Sequence, residues 1–87
     1  MKLILSPRAE KQLGKIPKFK QVLIGSKLRS LAENREMIEE KKLKSYKNLF
    51  RVRSGEYRIV YRRQNGKIHV FLIAHRKDVY LLLSSLI

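Results

Sequence analysis

The sequence contains no cysteine, and only 7 of its 87 residues are acidic, against 21 lysines and arginines. Without cysteine the chain can form neither a disulfide framework nor a thiolate metal site, so a reducing, cytoplasmic compartment is expected. A long apolar run is also missing. The N-terminal apolar stretch ends at Pro7 and the charges after it, and it is too short for a signal peptide or a membrane span. We therefore expect a small cytoplasmic protein with no membrane partner.

The sequence also lacks the motifs of metal and nucleotide chemistry. There is no Gly-rich phosphate loop, no HExxH, and no carboxylate pair in the strand-rich second half to bind Mg²⁺. The glutamates at positions 33, 36, 39 and 40 alternate with Arg35, Lys41 and Lys42, a pattern that favours a solvated helix surface over a metal site. We expect no metal and no cofactor, and two-metal nuclease chemistry is disfavoured.

Positive charge is what the chain has in excess. The formal net charge is +14, and residues 44–77 carry ten basic residues and one acid. A uniformly solvated basic surface would not concentrate its charge in one half, whereas a surface for a polyanion would. The length is that of one domain, 1–87, near the lower limit for a single stable core.

The N-terminal half has the pattern of a strand followed by a helical hairpin. Lys2–Leu5 is a short apolar run, Ser6 is suited to cap a helix, and Pro7 suits its first position. Pro17 ends this helix and can begin a second one. The second helix has apolar residues at helical spacing, which we expect to face the core: Phe19, Val22, Leu23, Leu28, Leu31 and Ala32.

From Leu43 the apolar period changes from helical to strand-like. Strands are predicted at Lys47–Arg53, Tyr57–Arg63 and Lys67–Ala74, and Asn65-Gly66 is a strong hairpin signal between the last two. The fold class is therefore α+β: an N-terminal strand, a helical hairpin, and a three-strand antiparallel meander in one sheet. A short C-terminal helix after Asp78 is possible. The hairpin should cover one sheet face, and basic side chains and the C-terminal segment should share the other.

Arginines cluster on the predicted sheet. Arg51 and Arg53 stand two apart and point to one face, and Arg58 on the partner strand lies within reach of them. Three guanidiniums on one face repel each other unless an anion lies among them.

RNA suits such a cluster, because its own 2′-OH can attack the adjacent phosphate if the protein orients it and offsets the charge. Arg51, Arg53, Arg58 and Arg76 can offset the charge. His75 and Tyr80 are candidates for proton transfer, which needs a group other than arginine.

The segment FRVRSGEYRIVYR, followed by an apolar strand and HRKDVY, resembles the RelE/ParE superfamily of toxins from type II toxin–antitoxin systems. The resemblance covers almost the whole chain, including SPRAEKQL near the N-terminus. It implies a metal-independent endoribonuclease that cleaves mRNA in the ribosomal A site and also contacts ribosomal RNA. It further implies a RelB-like acidic antitoxin as partner, in a possible hetero-oligomer.

The resemblance also implies functional positions. Arg51 and Arg53 fall where the RelE branch has functional lysines, Arg58 and Arg76 match functional arginines, and Tyr80 matches a functional tyrosine. Arg51 departs from the pattern, because it stands where the branch has lysine and arginine is a poor general base. His75 is a candidate for the role of general base. Other basic residues expected to bind RNA are Lys44, Lys47, Arg62 and Lys77.

Two alternatives remain open at the level of sequence. One is a ParE-like, non-enzymatic inhibitor of DNA gyrase, which shares the fold and much of the strand motif. The other is a degenerate member that binds its antitoxin without being toxic. The concentrated arginines and the HR…Y ending favour the ribonuclease.

Overall fold

The computed structural model describes residues 1–33 and 39–86 and has the α+β class expected from the sequence. Its elements in chain order are β1 (Lys2–Leu5), α1 (Pro7–Gly14), α2 (Lys18–Ala32), β2 (Glu40–Lys42), β3 (Leu49–Ser54), β4 (Tyr57–Gln64), β5 (Lys67–His75) and α3 (Val79–Leu86). The predicted meander is confirmed as β3, β4 and β5, and the C-terminal helix is present.

The sheet has five strands in the order β1-β5-β4-β3-β2, two more than the meander. The N-terminal strand β1 joins the meander by pairing in parallel with β5. Strand β2 pairs antiparallel with β3 at the opposite edge. The sequence did not predict β2, because its three residues, Glu-Lys-Lys, have no apolar alternation and continue a charged run typical of a helix surface.

The helical hairpin begins as the sequence predicts. The Ser6 side chain accepts a hydrogen bond from the backbone N–H of Ala9 at 3.0 Å, and Pro7 occupies the first helical position. Gln21 of α2 donates to the backbone carbonyl of Ile16 at 2.7 Å and so ties the second helix to the end of the first. From the sequence, Asn34 is a candidate end of the second helix, and it lies outside the described residues.

The core face of α2 differs from the prediction. Ile24, Leu28 and Leu31 are buried at i, i+4, i+7 spacing, whereas Phe19 is 76% exposed. Val22 and Leu23 are also exposed. This helix is apolar on more than one side, so spacing alone cannot select the stripe that faces the sheet. That stripe packs against buried side chains of the sheet such as Val52.

A second core lies on the other sheet face. It is formed by Leu43, Leu49, Val60, Leu72 and Ala74 with Val79 and Leu83 of α3. The helical hairpin and α3 therefore cover opposite faces, and the basic side chains of β3 share the α3 face, as expected. Among the described residues no helix has both the length and the apolarity needed to cross a membrane.

Candidate nucleic-acid interface

An open cavity of about 370 Å³ lies on the α3 face of the sheet, where the β3–β4 turn meets the segment between β5 and α3. Its lining is Arg51, Arg53, Arg58, Arg76, Lys77 and Tyr80. The structure thus brings together all four arginines of the predicted site, its tyrosine, and one of the lysines expected to bind RNA. We call this cavity the arginine pocket.

Strand alternation and register explain why these side chains meet. Arg51 and Arg53 alternate with Phe50 and Val52, which pack into the hairpin-side core. Arg58 is the direct register partner of Arg53 across the antiparallel pair. Arg76 is brought to the pocket from beyond β5, because its backbone N–H donates to the carbonyl of Glu56 at 2.7 Å.

Arg51 is the buried charged residue of the site, with 7% of its surface exposed. Its Nε has no hydrogen-bond acceptor among the residues that the structure describes. A buried N–H without an acceptor is costly, and an anion in the pocket that accepts a hydrogen bond from this Nε would remove that cost. The pocket therefore has positive charge and an unused N–H donor with which an anion could interact.

Arg58 is oriented by the turn beside it. Its Nη1 donates to the backbone carbonyl of Gly55 at 3.1 Å and to that of Tyr57 at 3.0 Å. Burial lowers the pKa of Arg58, and the positive charges of Arg53, Arg51 and Arg76 lower it further. The group stays charged, because arginine is not deprotonated in proteins, and repulsion from the neighbouring arginines adds to the cost of its burial.

Tyr80 lies in the first turn of α3 and is 52% exposed, so it is not a core residue. Val79 and Leu83 of the same helix are buried against the sheet and fix the helix in place. The hydroxyl oxygen of Tyr80 can both donate and accept a proton, which the guanidinium of arginine cannot do.

His75 does not enter the pocket. It is the register partner of Tyr57 and packs edge-on against that ring, on the sheet face of the helical hairpin. Its Nε2 lies 3.4 Å from a carboxylate oxygen of Glu56, and its Nδ1 accepts from the backbone N–H of Lys77 at 3.2 Å. These contacts hold the turn and the loop that carry pocket residues, and they do not bring the imidazole to the arginines.

Three of the lysines and arginines expected to bind RNA lie away from the pocket. Arg62 pairs with Leu49, four residues before Arg53 on β3, a distance of about 13 Å along the strand. The Arg62 guanidinium lies over the ring of Phe71 at 5.2 Å. Lys44 and Lys47 belong to the loop before Leu49, at the same far end of the sheet.

Glu40 departs from the expected solvated helix surface. It lies on strand β2, accepts a hydrogen bond from the Tyr61 hydroxyl, and forms an ion pair with Arg63 at 2.8 Å. Burial and the hydrogen bond to Glu40 raise the pKa of Tyr61 well above its ordinary value. No sequence signal marks this contact, because it joins residues more than twenty positions apart. Within residues 1–33 and 39–86, no group of three or more His, Asp or Glu side chains is arranged to hold a metal ion.

Comparisons with known proteins agree with this architecture. The family model for the ParE toxin of the type II toxin–antitoxin system parDE matches residues 3–80. Among solved structures, the RelB–RelE antitoxin–toxin complex from Methanococcus jannaschii is similar, with a TM-score of 0.75 and 23% identity, over 91% of this chain and 96% of the matched chain. This second likeness shows the fold. No curated protein matches the chain at a significant level. The family match covers helices α1 and α2 and the sheet from Leu3 onward, and the chain belongs to the ParE toxin family of type II toxin–antitoxin systems, within the RelE/ParE superfamily.

Proposed function

We propose that this toxin is a metal-independent endoribonuclease that cleaves mRNA on the ribosome and so inhibits translation. The observation that carries the proposal is Arg51, a buried guanidinium whose Nε has no acceptor, in a pocket lined by three further arginines. A phosphodiester supplies the missing negative charge, and the planar guanidinium fork matches phosphate oxygens.

The proposed reaction uses the substrate's own nucleophile. The 2′-oxygen of a ribose attacks the adjacent phosphorus, and the bond from phosphorus to the 5′-oxygen of the next nucleotide breaks. One fragment ends in a 2′,3′-cyclic phosphate, and the other begins with a 5′-hydroxyl. No metal ion is required, because the attacking hydroxyl is already positioned beside the phosphate and the arginines offset the developing charge.

Proton transfer is assigned to Tyr80 and solvent. The pocket is open, so water can take the proton that leaves the 2′-OH. The Tyr80 hydroxyl donates a proton to the departing 5′-oxygen and regains one from water. His75 has no part in this scheme, since it contacts Tyr57 and Glu56 on the other face of the sheet.

A second candidate is inhibition of DNA gyrase without catalysis. It is favoured by the family match, which is to the ParE toxin. Inhibition by binding alone needs no group for proton transfer, so the exposed Tyr80 among the pocket arginines is why we prefer the ribonuclease.

An antitoxin is the proposed regulatory partner. The similar solved structure contains a RelB antitoxin bound to its RelE toxin. A chain of net charge +14 attracts an acidic segment. The exposed side chains of Phe19, Val22 and Leu23 offer apolar surface for the same segment. We propose an acidic, RelB-like antitoxin in a hetero-oligomeric complex.

The test adds toxin, stripped with EDTA and exchanged into fresh buffer, to translating ribosomes in the Mg²⁺ that they need. Mapping of mRNA ends should find cuts that leave 2′,3′-cyclic phosphate or its hydrolysed form. A 2′-deoxy nucleotide at the cut position should abolish cleavage there. Arg53→Gln should lose activity. Arg62→Gln, which removes the same charge from the same face at the far end of the sheet, should retain it.

Intact mRNA together with blocked gyrase supercoiling would replace the ribonuclease with the gyrase inhibitor. If the toxin affects neither mRNA nor gyrase, while still binding its antitoxin, the chain is a member without toxicity.

A further inference from the structure

A second cavity of about 250 Å³ adjoins the arginine pocket on the side of strand β2. It shares Arg51 and Arg53 with the pocket, and the rest of its lining is Glu39, Glu40 and Lys41. Because Arg51 and Arg53 line both cavities, the two cavities lie side by side across the sheet, from the start of α3 to the β2 edge, and we call them together the groove.

Lys41 is the cation that this groove adds. It is the direct register partner of Arg51, and strand alternation puts its side chain on the arginine face. Cross-strand partners on one face have Cβ atoms about 5 Å apart, so the two cations are neighbours. Lys42 is the register partner of Phe50 and belongs to the opposite face.

The strand that carries Lys41 is held by a specific contact. Strand β2 has three residues, and one ladder of that length is marginal by itself. Glu40 anchors it through the Tyr61 hydroxyl and the Arg63 guanidinium on the hairpin face. Since neighbouring strand residues point to opposite faces, this anchor fixes Lys41 toward the groove.

We propose that the second cavity is a subsite for the neighbouring phosphate of the same RNA strand, with Lys41 as its ligand. The inference rests on the proposed function, because it extends the arginine pocket by one nucleotide. A basic groove that follows the backbone is how proteins bind single-stranded nucleic acid. Two glutamates line this cavity. The carboxylate of Glu40 is bound by Tyr61 and Arg63 on the hairpin face, whereas the exposed Glu39 opposes phosphate binding and limits its affinity.

The test measures binding of a fluorescein-labelled, single-stranded 2′-O-methyl oligouridylate by anisotropy over a range of salt. This probe has no free 2′-OH, so it reports binding without cleavage. Lys41→Gln should weaken binding about 2- to 5-fold at low salt. It should also reduce the slope of log affinity against log salt by about 0.7, one phosphate contact on a single strand.

Two matched variants sharpen the test. Lys42→Gln removes the same charge one residue away on the other face and should leave the slope unchanged. Glu39→Gln should tighten binding, because it removes a repulsive charge from the cavity. Lys41, Lys42 and Glu39 are all exposed, so each variant should fold, which thermal melting checks.

The outcomes separate this inference from the function on which it rests. If Arg53→Gln weakens binding and Lys41→Gln behaves like Lys42→Gln, the arginine pocket stands and the second subsite is wrong. If the wild-type protein does not bind the probe, both the pocket as an RNA site and the subsite are overturned.

Discussion

Arg53 and Arg58 are direct register partners on β3 and β4, so two guanidinium side chains project side by side from one sheet face. Like charges directly opposite each other destabilise a sheet. The pKa of Arg58 is lowered by burial and, next in order, by the charge of Arg53. The pocket is therefore built at a cost in stability, which an anionic ligand would relieve.

Arg53→Gln should raise the melting temperature of the free protein. Arg53 is exposed, so the change removes repulsion without opening a cavity. Relief of roughly 0.5 kcal/mol in the free energy of unfolding corresponds to a rise of about 2–4 °C for a domain of this size. Calorimetry at low salt measures the rise, and added salt should shrink it. Arg62→Gln is the control and should give no rise, because the Arg62 guanidinium makes a favourable contact with the Phe71 ring. A lower melting temperature for Arg53→Gln would contradict the argument.

Arg58→Ala should reduce the rate of mRNA cleavage by about 10²–10³, the usual effect of removing one donor from a developing charge. It should also lower stability, because Arg58 donates to the carbonyls of Gly55 and Tyr57. Each hydrogen bond contributes about 1 kcal/mol, and the relief of repulsion offsets part of that loss. Cleavage rates at a temperature well below the melting point separate the two effects.

Arg58→Lys is the matched control for that variant. It retains the charge and loses the planar fork, so it should recover part of the stability and little of the rate. Full activity in Arg58→Lys would show that the site needs a charge at this position and not a bidentate donor.

Gly66→Val should destabilise the protein by about 1–2 kcal/mol. Asn65 and Gly66 both have positive φ, +52° and +70°, as a type I′ hairpin requires. A Cβ at Gly66 would meet no atom within 4 Å, so the cost is conformational and not steric. Gly25→Ala is the control. Gly25 lies inside helix α2 with equal space around it, so this substitution should stabilise the protein. Chemical denaturation of both variants measures the two opposite shifts.

The hairpin shows what the sequence could predict. The Asn65-Gly66 signal is local, and so are the alternation of Arg51 and Arg53 with apolar residues and the Ser6-Pro7 helix start; all three features are present. Local patterns also located the face shared by the arginines and α3. Each of these features depends on residues close in sequence, whose geometry follows from backbone period and turn chemistry.

Features that depend on distant residues were not predictable. The pairing of β1 with β5 joins Leu3 to Ile68, and the anchor of β2 joins Glu40 to Tyr61. The exposed Phe19 was mistaken for a core residue because which side of α2 meets the sheet is a tertiary choice. His75 is the last residue of β5 and directly precedes the pocket residue Arg76 in sequence, yet its side chain packs against Tyr57 on the hairpin face.

The hydrogen bond between Glu40 and Tyr61 should stabilise strand β2. Glu40→Ala leaves the Tyr61 hydroxyl without that acceptor and should cost about 1–3 kcal/mol. Tyr61→Phe removes the hydroxyl, and in that background the Glu40 change should cost less. A double-mutant cycle by chemical denaturation measures the coupling free energy between the two residues. For residues in direct contact we expect about 0.5 kcal/mol or more. Additive effects would mean that the hydrogen bond does not hold the strand.

The last prediction concerns the acid side of the pH–stability curve. Glu56 is exposed, and its pKa is lowered first by the hydrogen bond from His75 and then by the charge of that imidazole, with smaller contributions from Lys20 and Arg76. A carboxyl whose folded pKa lies below its unfolded value, about 4.3, stabilises the protein above that value. The stabilisation is lost as the pH falls through the folded pKa. The wild-type protein should therefore melt above Glu56→Gln at neutral pH, and the two curves should converge in acid.

His75 variants identify the source of that difference. His75→Gln can still present an amide N–H to Glu56 and should retain part of the pH-dependent difference, whereas His75→Ala should lose it. Because His75 also accepts from the backbone N–H of Lys77, His75→Ala should loosen a pocket segment and weaken RNA binding without removing a pocket charge. A difference between wild type and Glu56→Gln that persists below the folded pKa would show that Glu56 acts through some contact other than its charge.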